Sequence, residues 1–199
     1  MTDWIIELLV GYGAPILMLV TFLSCLALPV PASLAMLAAG AFSASGDLST
    51  VSVAAAAFAG AVLGDQAGYA VGRAARTPLL SRIDGRPKRA ALYGRARRMI
   101  EDHGGAGIFL SRWLFSPLGP YANFAAGITH LARLRFTLWG AAGEAVWVAI
   151  YIGLGLAFSD DLAAAAEMAQ DLGGLAAALA VLAIAGIWVS RSLRRARRA

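Results

Sequence analysis

Apolar residues run almost unbroken from residue 4 to residue 42, with one interruption at Pro29-Val30-Pro31. A bilayer span needs roughly 20 apolar residues. The stretch is too long for one span and short for two with a loop. Proline removes a backbone donor and clashes with the preceding turn, so Pro29 and Pro31 predict a broken segment: either a span followed by a half-helix or a hairpin that re-enters the membrane. A polar turn, SASGDLST at 43–50, comes next. An apolar span is then expected from Val51 to Gly72, running from outside to inside because Arg73 marks its end.

Residues 73–104 form a basic connector. Pro87 suits a helix start. Leu92, Ala96, Met99 and Ile100 recur at helical spacing among Arg89, Arg95, Arg97 and Arg98, and Gly104 and Gly105 stop the pattern. This is either an amphipathic helix lying on an anionic membrane face or a solvated cytoplasmic helix. The next apolar segment, 105–129, is split by Pro117, Gly119 and Pro120 and flanked by arginines on both sides. Two cytoplasmic ends describe a second re-entrant hairpin. Such irregular backbone persists at membrane depth only where protein or a water-filled cavity covers it. A span from Phe136 to Phe158, an acidic loop at 159–171 and a last span from Leu172 to Val189 complete the pattern.

The expected fold is an all-α membrane protein, with transmembrane helices plus two re-entrant hairpins in an inverted repeat. Each half has a Pro-broken segment followed by a Gly-rich span. Interrupted segments at corresponding places in two halves point to a transport site. The 199 residues form a single membrane domain, with 73–104 as cytoplasmic connector and 172–199 as last span and basic tail.

Composition agrees. The chain is 59% hydrophobic and only 15% charged, with a mean hydropathy of +0.68. A soluble domain is about half apolar and a quarter charged. The net charge of +5 is concentrated in the connector and in Arg191, Arg194, Arg195, Arg197 and Arg198. These blocks abut apolar spans, so they orient the chain with its C-terminus in the cytoplasm and do not indicate a nucleic-acid binder. The N-terminus opens with Asp3 and Glu7 and lacks the basic region of a signal peptide. Cys25 is the lone cysteine and makes no internal disulfide. The Arg-rich, Ala-rich composition suggests a bacterial source, hence the inner membrane.

Three ionisable residues interrupt the apolar segments. Asp65 lies within GAVLGDQAGYAVGR, where Gly60, Gly64, Gly68 and Gly72 make a smooth face for close helix packing. A charge there is costly and has to meet protein, water or a partner. Tyr69, one turn on, is placed to hydrogen-bond to it. Arg112, beside Trp113, is the expected partner. It serves either a substrate, since its planar fork fits phosphate or carboxylate, or a static ion pair. Glu144 carries the same burden in the 136–158 span, as a proton carrier, a partner for Arg112 or a neutral buried acid. His103 and His130 read as edge residues. No metal spacing, cofactor motif, phosphate-binding loop or nucleophile triad is present: Ser24, Ser33, Ser111 and Ser116 have no matching His–Asp partners. A non-enzymatic function is expected.

GxxxGDxxGYxxGR at 60–73, FLSRWLFSPLGPYANFAAG at 109–127 and FxxWxxxGxxxW at 136–147 resemble the DedA family, also called the VTT or SNARE-associated Golgi protein domain, over roughly residues 20–158. The resemblance implies an inverted repeat with two hairpins and the flipping or scrambling of phosphate-bearing lipids such as phospholipid or undecaprenyl phosphate, with protons as coupling ions in some members. It maps Asp65, Arg112, Pro29, Pro31 and Gly40 onto family positions. The sequence departs at Ser33, where the family often has an acid, and near Leu118 and Gly119, where many members carry a second arginine. The alternative is a non-transporting structural or envelope-maintenance factor.

Overall fold

The computed structural model describes residues 12–74, 85–113 and 118–161. The N-terminal residues 1–11, part of the connector, Pro117, the last expected span and the arginine tail lie outside them. The described residues form helices α1 (Ala14–Ser24), α2 (Ala32–Ala44), α3 (Thr50–Ala74), α4 (Pro87–His103), α5 (Gly105–Trp113), α6 (Gly119–Ile128) and α7 (Arg133–Ala157), with no strand among them. Of these, α3 and α7 are long and apolar enough to cross a membrane, with mean hydropathies of 1.3 and 1.5. Both match the expected spans to within a turn.

The first apolar stretch breaks as expected, but the helix stops well before the prolines. Helix α1 ends at Ser24, Ala27 takes a left-handed φ of 61°, and Pro31 caps α2 at φ −80°. A residue preceding proline is pushed out of helical conformation, so the unwound segment extends back from Pro29. In the second stretch Pro120 stands in the first turn of α6. There its missing N–H has no helical partner to lose. It starts a helix instead of breaking one.

Helix α1 packs on α3, and α5 packs on α7. The second members cross over: α2 packs on α7, and α6 packs on α3. Backbone approach at these contacts depends on glycine. A Cβ on Gly60 would strike the Met18 carbonyl, and one on Gly64 would lie 2.8 Å from Cys25 Cβ, both in or just after α1. One on Gly68 would lie 2.9 Å from Asn123 Cβ, and one on Gly72 would strike the Phe124 carbonyl, both in α6. The stripe therefore seats one arm of each broken segment, α1 and α6, on α3. In lipid, such close backbone packing replaces the hydrophobic effect as the main source of helix association.

Two apolar cores result. One joins α1, α2, α3 and the C-terminal part of α7 through Leu17, Met36, Val53, Ala57, Val148 and Ile152. The other joins α4, α6 and the opposite ends of α3 and α7 through Tyr69, Ala96, Ala125 and Phe136. The apolar face of α4 is thus taken up by protein: Tyr93, Ala96 and Ile100 are buried against α5 and α6. The periodicity that suggested a membrane-surface helix serves this packing, while Arg95, Arg97 and Arg98 face outward. The exposed Arg97–Glu101 hydrogen bond, 2.7 Å long, raises the Arg97 pKa and adds little stability, as expected of a surface pair.

Candidate functional site

The polar residues collect at the seam between the two cores. Asp65 comes from α3, Arg112 from the end of α5, Asn123 from α6 and Glu144 from α7, and each is at most 5% exposed. Arg112 Nη1 pairs with Asp65 Oδ1 at 2.9 Å. Arg112 Nη2 donates to Asn123 Oδ1 at 2.7 Å. Asn123 Nδ2 donates to Asp65 Oδ1 at 2.9 Å and to the Cys25 carbonyl at 3.2 Å. The amide thus uses its acceptor and both donors, and it links α6 to the unwound end of α1.

Glu144 is bound more loosely. Its Oε1 lies 3.4 Å from Arg112 Nε, an ion pair without a hydrogen bond; its Oε2 makes no hydrogen bond, and its carboxylate comes within 4.8 Å of that of Asp65. One guanidinium therefore faces two acids. The Phe136 ring lies beneath the guanidinium, 5.7 Å from Cζ to ring centroid, a cation–π distance. Gly140 and Gly143 on α7 leave room for the Arg112 side chain. A Cβ at Gly143 would come within 2.6 Å of Arg112 Cγ.

A cavity of about 420 Å³ adjoins this cluster, within the roughly 300–1,000 Å³ of small-ligand sites. The unwound segment from Cys25 to Pro31 walls it on one side, and Gly119, Pro120 and Tyr121 wall it on the other. Arg112, Glu144 and Trp147 also border it. Asp65 does not border it. The two acids are therefore inequivalent: one is tied behind the wall, and the other stands in it.

Tyr69 does not meet Asp65. Its hydroxyl donates to the Leu131 carbonyl at 2.6 Å and accepts from Arg73 at 3.2 Å, while its ring stacks on Phe136 at 4.8 Å. The rotation of α3 turns it toward the α6–α7 turn, so it braces the end of the helix and is not part of the charged cluster. His103 and His130 are exposed at helix ends. Ser111 Oγ is occupied by the Ile108 carbonyl at 2.7 Å. Cys25, Asp65 and Glu144 bring possible metal-ligand atoms within 4.8 Å of one another, but the Arg112 guanidinium already sits against both carboxylates and supplies the positive charge there. Asn123 was missed from the sequence. The signal for it was a lone amide in an apolar helix, which needs a buried partner.

The sequence matches the VTT domain over residues 28–157. It is 36% identical over 151 residues to an uncharacterized membrane protein of Synechocystis sp., a match covering 72% of this chain and 65% of that protein. It is 29% identical over 99 residues to the protein DedA of Escherichia coli, covering 49% of this chain and 44% of that protein. The chain spans less than two thirds of the length of either relative. No solved structure matches it.

Proposed function

The chain belongs to the VTT domain family, the family of DedA, and on that premise we propose that it is a multi-pass membrane transporter that moves a phosphate-bearing lipid, phospholipid or polyprenyl phosphate, between leaflets. In this reading α1–α2 and α5–α6 are two re-entrant hairpins in an inverted repeat. The crossed packing supports it: each first arm lies on the long helix that follows it, and each second arm lies on the long helix of the other half. A pseudo-two-fold axis relates contacts in this way. The tips then approach the midplane from opposite faces. The basic connector and the C-terminal arginines lie in the cytoplasm of a bacterium, with the protein in its inner membrane.

The observation that carries the reading is the cavity between the unwound Cys25–Pro31 segment and the start of α6, bordered by Arg112 and Glu144. A phosphate headgroup entering there meets a cation that is already desolvated. Glu144, in the wall, exchanges a proton with the cavity, and Asp65 balances the arginine from behind. Ser33 borders the same cavity at the position where the family resemblance leads one to expect an acid, so Glu144 takes over the part of the titratable group. The protein acts as a carrier and not as an enzyme.

The test is lipid flipping in reconstituted vesicles, read with a short-chain fluorescent phosphatidic acid. Arg112→Ala and Glu144→Gln are expected to slow flipping by about tenfold or more, the effect of 1.4 kcal/mol. Undiminished flipping in both variants defeats the assignment. A second reading, a structural or envelope-maintenance factor, draws on the fact that both Nη groups of Arg112 are already tied to Asp65 and Asn123. It predicts that Arg112→Ala lowers the folded amount and leaves lipid handling in the remainder unchanged.

A further inference from the structure

Among the described residues, the buried side-chain nitrogen and oxygen atoms without a hydrogen-bond partner are Arg112 Nε, Glu144 Oε2 and Trp147 Nε1. All three belong to residues that border the one cavity described above. A buried polar group left unsatisfied costs about 1–3 kcal/mol. Chance would scatter such atoms. Here all three lie on residues of one cavity wall, and each atom is itself covered.

We propose that Trp147 is a ligand-holding residue, and that its indole N–H, Arg112 Nε and the Glu144 carboxyl together form the anion site of the cavity. The inference rests on the carrier reading above and specifies how the headgroup is held. Arg112 cannot present its fork to the ligand, because Nη1 is engaged by Asp65 at 2.9 Å and Nη2 by Asn123 at 2.7 Å. It offers Nε alone. One N–H makes a weak clamp, and a second donor is needed.

Trp147 supplies that donor. It stands one turn after Glu144 on α7, on the same face. Its indole nitrogen is a donor only, so no internal rearrangement of the ring satisfies it without an acceptor. The ring is fixed: it is 6% exposed and packs edge-on to Tyr151 at 6.1 Å. Two fixed donors from separate helices select a group with at least two acceptor oxygens. Glu144 adds a condition. Its free oxygen would repel an anion, so it carries a proton when the anion is bound and becomes a third donor. The site therefore takes an oxygen-rich anion together with one proton, and a terminal phosphate offers the three oxygens that it needs. A choline-bearing headgroup would press a second cation against Arg112 and is disfavoured.

The full-length protein in detergent would be titrated with inorganic phosphate, dihexanoyl phosphatidic acid and dihexanoyl phosphatidylcholine by calorimetry, as wild type and as Trp147→Phe. Phenylalanine keeps an aromatic ring and removes the donor. Phosphatidic acid is expected to bind the wild type and to bind the variant about tenfold or more weakly, as for a lost hydrogen bond to a charged group. The melting temperature should fall modestly, by the packing lost with the indole's second ring. In the wild type with isotope-labelled tryptophan, the Trp147 indole N–H resonance should shift on saturation with ligand. This readout does not depend on the variant folding, because the other four tryptophans can be assigned by their own Phe substitutions. Inorganic phosphate binding as tightly as the lipid would identify the bare anion as the ligand, and weaker binding would identify the lipid phosphate. Either outcome fits the site. Equal binding of the choline lipid, or an unmoved indole with unchanged Trp147→Phe affinity, overturns this inference and leaves the carrier reading standing. A wild type that binds none of the three probes overturns both.

Discussion

Asn123 donates from Nδ2 to the backbone carbonyl of Cys25 at 3.2 Å, a hydrogen bond between residues that are 98 positions apart. The same amide holds Asp65 and Arg112. One neutral side chain thereby couples the unwound end of the first broken segment to the charged cluster and to the second broken segment. Asn123→Ala would leave the Cys25 carbonyl without this donor and take one partner each from Asp65 and Arg112. The expected loss is at least about 1–3 kcal/mol, the cost of one unsatisfied buried group, read as a lower melting temperature in detergent. An unaltered melting temperature would show that the amide is replaceable by water.

Arg112 and Asp65 test the cluster's energetics. Removing one partner of a buried pair leaves an uncompensated charge and typically costs about 3–5 kcal/mol. Arg112→Ala leaves two acids facing each other and should be the most damaging single change in the seam. Asp65→Asn keeps the shape and leaves Arg112 paired with Glu144, so it should cost less. The double variant should be more stable than the two separate losses predict, since residues in one network do not add. Strict additivity in thermal melts would mean that the pair is not coupled.

Much of this was legible in the sequence. Long apolar runs with arginine at one end gave α3 and α7, because a bilayer imposes length and hydropathy. Pro29 and Pro31 marked the break between α1 and α2, although α1 ends at Ser24, well before them. Asp65, Arg112 and Glu144 stood out since charge within an apolar segment requires a partner. What the sequence could not give was rotation. Tyr69 is one turn from Asp65, yet faces Leu131 and Phe136, and only the packing of α6 and α7 decides that. Asn123 stayed hidden for a related reason: an uncharged amide raises no charge-burial alarm. The apolar face of α4 was visible, but not whether lipid or protein covers it. Periodicity reports that a face is buried and leaves open what buries it.

The glycine stripe yields a graded prediction. Gly64→Ala and Gly68→Ala press a methyl group against Cys25 and Asn123, at 2.8 and 2.9 Å before relaxation. Overpacking of this kind costs about 1–3 kcal/mol and should lower both melting temperature and folded yield. Gly153→Ala, on the exposed face of α7 with nothing within 4 Å, should cause no loss. Equal tolerance at all three positions would mean that the broken segments do not rest on α3.

Cys25 provides a native probe of the cavity. It is the lone cysteine, 7% exposed, and it borders the void at the unwound end of α1. In this conformation a membrane-impermeant maleimide should label it slowly, since the side chain is almost wholly covered. A cysteine placed at the exposed Ser45, in a Cys25→Ala background, should label at the rate of a free thiol and sets the upper limit. Loss of the Asn123 link removes the hydrogen bond that holds the Cys25 carbonyl. Asn123→Ala should therefore speed labelling of Cys25 toward that limit, by about tenfold for each 1.4 kcal/mol removed from the closed state. Occupying the cavity with short-chain phosphatidic acid should slow labelling in both backgrounds. If Cys25 in the wild type reacts as fast as the Ser45→Cys control, the cavity is open at rest and Asn123 does not hold it closed. If Asn123→Ala changes melting but not labelling, the amide stabilises the seam without governing access to the void.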